Sequence, residues 1–196
     1  MSGTPITAVL IASLIVASVL IMGCSSTAPQ SPENRSTGIT VINSDDSTAT
    51  VFDDAVSSLD GVDFGPVTGN STDLTSHILI IQGSRLTSKG DAANWLFFVE
   101  RANKTYVVNV NKNGNSVSPW GGKVPDKEIL VDQIIHPLDL FRNNHDAIFT
   151  TSHPDTPETI DLTLSKGNYS LSITSSYGTR TMVFDAATGA LISSNG

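Results

Sequence analysis

Residues Ile6 to Gly23 (ITAVLIASLIVASVLIMG) are apolar or small throughout and carry no charge. As a helix rising about 1.5 Å per residue, such a run just reaches across a ~30 Å hydrocarbon core. Ser25 to Gly38 (SSTAPQSPENRSTG) is rich in Ser, Thr and Pro, has no apolar period, and reads as an extended tether. Patterned sequence begins near Ile39. Phe52, Ala55, Val56 and Leu59 stand at i, i+3, i+4 and i+7, one apolar face of a short helix. Thr50 with Asp53 fits a capping box at its start, and Gly61 is placed to stop it.

Three strand-like runs follow, His77–Gln82, Asn94–Glu100 and Lys104–Val110. The first two are apolar on both faces, which predicts a sheet covered on both sides. Trp95 alternates in phase with Phe97 and Val99 and so belongs to the core. Asn111–Lys127, with Pro119-Trp120-Gly121-Gly122, reads as a connection. A second helix is predicted from Pro137 to Phe149, with Leu138, Phe141 and Ile148 on one side and Pro137 at the first helical position. Thr159–Ser165 and Asn168–Thr174 alternate apolar with Ser/Thr, a half-buried strand pattern. Arg180–Asp185 and Ala190–Ser193 read as hairpin arms around a turn in which Gly189 can take positive φ.

Helix followed by strands thus occurs twice. The expected fold class is α+β, with small antiparallel sheets each carrying one packed helix, in two similar helix-plus-meander units at 39–125 and 126–196. Residues 1–23 form the leader or anchor and 24–38 the tether.

Composition narrows the partners. Hydrophobic residues make up 39% of the chain, enough for a core, while charged residues are only 15%, against roughly 25% in an average soluble domain. The net charge of −8 lacks the basic footprint of a nucleic-acid binder and disfavours attachment to anionic headgroups. Membrane attachment must therefore be apolar or covalent.

The apolar run ends in Ile21-Met22-Gly23-Cys24, which resembles the lipobox of prokaryotic lipoproteins: an aliphatic residue, a variable one, a small one, then cysteine. The resemblance implies cleavage before Cys24 and lipidation of its thiol, with the remaining chain on the outer face of the membrane. Met1 to Pro5 contain no Lys or Arg, a departure from the pattern, and an uncleaved N-terminal transmembrane helix is the alternative. Cys24 is the sole cysteine, so no intramolecular disulfide can form.

The closing run Val183-Phe184-Asp185-Ala186-Ala187-Thr188-Gly189-Ala190-Leu191-Ile192 resembles the last hairpin of PepSY-type domains. That family packs one helix on a small antiparallel meander. The resemblance implies an extracytoplasmic, non-enzymatic module that restrains a peptidase or senses the cell-wall region.

Candidate chemistry is sparse. His136, His145 and His153 are interspersed with Asp139, Asp146 and Asp155, but no spacing fixes a metal geometry, and neither metal nor cofactor is expected. No serine lies in Gly-x-Ser-x-Gly or Ser-x-x-Lys. The pairs Asp45-Asp46 and Asp53-Asp54 fit solvated positions, the latter at a helix start. Trp120, in a Pro/Gly segment, is the candidate contact residue. Asn34, Asn70, Asn103 and Asn168 head Asn-x-Ser/Thr triplets and are candidate glycan sites. The favoured expectation is a non-catalytic module, tethered to the membrane, that binds or regulates a protein, peptide or envelope component. The alternative is an extracytoplasmic hydrolase using His145 with Asp146, or His153 with Asp155, as base; a purely structural envelope component is a third.

Overall fold

A computed structural model describes residues 48–66, 76–149 and 158–195. These lie in one compact unit, Val41–Gly196, and the expected leader (1–23) and tether (24–38) lie outside the described residues.

Helix α1 (Phe52–Ser57) continues into a 3-10 turn, Ser58–Gly61. The apolar period predicted this helix, and Phe52 and Ala55 are buried. The capping box does not form. Val51 is the N-cap and makes no side-chain cap bond, because the preceding Thr50 is drawn into a backbone bridge with Ala92.

Strands β1 (His77–Leu86), β2 (Ala92–Arg101), β3 (Lys104–Asn111) and β4 (Gly114–Trp120) form a meander. The predicted connection from Asn111 therefore contains a strand, β4. It is an exposed edge strand and lacks the apolar alternation that marks half-buried ones. After a 3-10 turn at Val131–Gln133 come α2 (Pro137–Asn143) and α3 (His145–Phe149). The single predicted helix is thus broken at Asn144, whose amide donates to the carbonyls of Leu140 and Gly189. Leu140 and Phe141 face the core, and Leu138 is 46% exposed, so the predicted apolar side was misphased by that residue. A second meander follows: β5 (Thr159–Ser165), β6 (Asn168–Ser175), β7 (Gly178–Asp185) and β8 (Leu191–Asn195).

The expectation of two small sheets, each with its own helix, is overturned. All eight strands lie in one antiparallel sheet of order β4-β3-β2-β1-β5-β6-β7-β8. The join is the pairing of β1 with β5, Ile80 opposite Ser165 through Gly83 opposite Leu162. The first strands of the two meanders pair with each other. Left apart, each would leave an unpaired apolar edge. The mirrored strand order makes the two meanders counterparts across the β1–β5 seam.

The helices lie on one face of the sheet. Strand alternation delivers Ile81, Trp95, Phe97, Val108, Leu162, Leu171 and Phe184 to that face, and they form the main core with Phe52, Leu140, Phe141 and Ile148. The opposite face carries Thr163, Ser170, Ser172 and Thr181 over the second meander, the predicted hydroxyl surface. Over the first meander it carries Leu96, Phe98 and Val107, with no helix covering them among the described residues. Phe98 is nonetheless buried, with the Trp120 indole edge-on to its ring.

Candidate functional site

A concavity opens between the α1 region and the first meander. Its volume is about 350 Å³, and it is lined by Val56, Leu59, Asp60, Phe64, Ser76, Ile78, Val99 and Arg101. Cross-strand register sets its floor. Val99 pairs with Ile78, and alternation puts Arg101 on the same face as Val99. A register shift in β1 between Ile78 and Ile80 breaks the ladder there, a device that redirects side chains beside sites. Val56, Leu59, Phe64 and Ile78 pack against the core yet stay partly exposed, which is what an open cleft does to its walls.

Among the described residues, one cation, Arg101, stands in this lining. The Arg101 guanidinium carbon lies 5.1 Å from the centroid of the Phe64 ring, and Phe64 in turn meets Tyr106 edge-on at 5.3 Å. Stacking of this kind holds a guanidinium plane in place. The Arg101 Nε is buried and has no acceptor among the described residues. Asp60 supplies a carboxylate to the same lining and is exposed. The lining thus sets the polar groups of Asp60, Ser76 and Arg101 among the apolar side chains of Val56, Leu59, Phe64, Ile78 and Val99.

The residues singled out from sequence are dispersed. Cys24, Asn34, Asn70, His153 and Asp155 lie outside the described residues. Trp120 ends β4 rather than sitting in a loop; its ring is 5.2 Å from that of Phe98 on the face opposite the cleft, and it is 42% exposed. Asn103, at φ +59, is in the β2–β3 turn, and Asn168 opens β6; both are exposed. His145 Nδ1 lies 3.3 Å from Asp146 Oδ1, both well exposed on α3, and its ring packs on Phe149. His136 Nδ1 lies 2.8 Å from Asp53 Oδ1, so this pair links α2 to α1. His77 pairs with Glu128 at 3.0 Å. Among the described residues, no three His, Cys, Asp or Glu side chains group as metal ligands, and no helix is long and apolar enough to cross a membrane.

Asp185 has a local role. Its Oδ1 accepts from the Thr188 hydroxyl at 2.8 Å, the Thr188 amide at 2.8 Å and the Ala187 amide at 3.1 Å. These bonds, with Thr188 contributing most and the positive charge of Lys127 adding to them, hold its carboxyl below the usual carboxylate range. Gly189, at φ +72, closes the turn.

Sequence reading missed Arg101 and Phe64. The signal for Arg101 was present: it continues the Trp95, Phe97, Val99 alternation, placing a charge in phase with a buried face. Phe64 lies in an irregular segment, where periodicity says nothing. No protein family, curated protein or solved structure matches the chain.

Proposed function

We propose that this chain is a non-catalytic binding module held at the outer face of the cell membrane through Cys24, with the cleft beneath α1 as its working part. The observation carrying the binding half of this reading is the concavity of about 350 Å³ lined by Val56, Leu59, Phe64, Ile78 and Val99 together with the polar groups of Asp60, Ser76 and Arg101. Concave, mostly apolar sites with a few placed polar groups are where small ligands and protruding chain ends bind. The lipobox-like Ile21-Met22-Gly23-Cys24 and the Ser/Thr/Pro tether support the anchoring half. The His145–Asp146 pair lies in the open on α3, away from the cleft lining.

The test is site-specific photo-crosslinking in intact cells. A photoreactive residue at Leu59, in the cleft, is expected to capture a discrete adduct. The same residue at Ile192, exposed on the edge strand β8, is expected to capture none or a different set. Equal, diffuse labelling from both positions would defeat the reading.

A further inference from the structure

A second concavity, of about 320 Å³, opens at the other end of the first meander, where β1 ends, β2 begins and β3 turns into β4. Among the described residues it shares no lining residue with the α1 cleft, and nothing below depends on that cleft. We infer that this second concavity binds a small phosphorylated sugar, with Arg85 and Lys112 receiving the phosphate.

Strand register builds the site. The pairs Ser84–Asn94 and Leu86–Ala92 set Arg85 of β1 beside Ala93 of β2. The pairing of Trp95 with Val110, carried one step further along the same face, sets Ala93 beside Lys112, the first residue of the β3–β4 turn. Both cations and Ala93 are in the lining. Neighbouring strands lie about 4.8 Å apart, so the two cations leave the backbone roughly 10 Å from each other with only a methyl group between them. Side chains of their length can close that span on one anion.

The state of Arg85 argues for an anion. It is exposed, and its guanidinium makes no hydrogen bond or ion pair among the described residues. Its backbone is what is held: φ is +52, and the amide donates to Asp161 Oδ1 at 3.0 Å. The fork is therefore unspent, and its geometry matches phosphate in two-point contact. Among the described residues no carboxylate lines the concavity. Two cations favour a dianion over a monoanion, because every charge pair adds its own attraction. The net charge of −8 opposes an anion at long range. Charges more than about 8 Å away are largely screened at physiological salt, so the local pair decides.

The remaining lining argues for a sugar. A volume of about 320 Å³ is at the low end of the roughly 300–1,000 Å³ typical of small-molecule sites, and a bare phosphate would fill only part of it. Thr48, Thr87 and Asn113 add hydroxyl and amide groups. Asn111 fixes the last of these: its Oδ1 accepts from the Asn113 amide at 2.8 Å, and its Nδ2 donates to Asn94 Oδ1 at 3.3 Å. Hydroxyl and amide groups interspersed with the methyls of Ala49 and Ala93 suit a hydroxylated carbon skeleton, whose faces are apolar and whose edges hydrogen-bond.

The experiment is calorimetric titration of the full chain in phosphatidylcholine nanodiscs with glucose 6-phosphate, empty-disc heats subtracted. Saturable binding is expected, with glucose and inorganic phosphate each at least tenfold weaker, because each lacks one half of the contacts. Arg85→Gly removes the guanidinium and suits the left-handed backbone, so it is expected to keep the fold and to weaken binding at least tenfold. Lys112→Gln is expected to weaken it at least threefold. Lys104→Gln, which removes a positive charge at the start of β3, away from the concavity, is expected to leave binding unchanged. Circular dichroism of each variant checks that the sheet is retained. The inference is overturned by no saturable binding of glucose 6-phosphate, or by glucose or inorganic phosphate binding as tightly. Binding indifferent to Arg85→Gly or to Lys112→Gln in a folded variant, or an equal loss in Lys104→Gln, overturns it as well.

Discussion

The phenolic oxygen of Tyr169 on β6 donates a hydrogen bond of 2.6 Å to the carbonyl oxygen of Ile135, in the segment that leads into α2. The ring is 1% exposed, so this bond pins the covering layer to the sheet from inside the core. Burial pushes the Tyr169 hydroxyl up from its ordinary value of 10.0. Tyr169→Phe leaves the Ile135 carbonyl without this donor and is expected to cost about 1–3 kcal/mol in urea unfolding. Because the folded-state value is raised, the stability tied to the neutral phenol is complete below pH 10.0 and drains away as pH climbs above it. The wild-type chain is therefore expected to lose stability in that alkaline range more steeply than Tyr169→Phe.

Gly83 on β1 faces Trp95 on β2 across the ladder. A Cβ added there would fall 2.6 Å from Trp95 Cζ3, and the indole cannot retreat freely because its Nε1 donates to the Thr50 carbonyl at 2.9 Å. Gly83→Ala is expected to destabilise by about 1–3 kcal/mol through overpacking. Trp95 is one of only two tryptophans, so its displacement is expected to appear in the emission spectrum of a Trp120→Phe background.

The Asp185 turn sets an acid limit. Its carboxyl titrates below the ordinary 3.8, so the stability it lends is present above that value and is lost as pH falls through the depressed one. Asp185→Asn is expected to lower stability at neutral pH and to flatten the acid limb of stability against pH. A variant that kept the wild-type acid limb would assign that limb to other carboxylates.

Much of the fold was legible because it follows from alternation. β5 was read with its observed ends, and the apolar phase of Trp95, Phe97 and Val99 holds. What stayed hidden were choices made between segments. Nothing in the residues of β1 or β5 alone says that these two strands pair, yet that pairing turns two sheets into one. β4 was missed because an exposed edge strand needs no apolar face, and the break at Asn144 because it depends on a carbonyl from the distant Gly189. The cleft was half legible. Arg101 could be read from strand phase, whereas Phe64 reaches it only through the folded path of an irregular segment.

Attachment at the outer membrane face is the claim on which the functional account rests, and the intact mass of the chain recovered from cell membranes tests it most directly. The expected species begins at Cys24 and carries a lipid adduct on the thiol, and Cys24→Ser is expected to abolish that adduct. A full-length species beginning at Met1, unmodified at Cys24 and recovered from the soluble cytosolic fraction, would contradict the account.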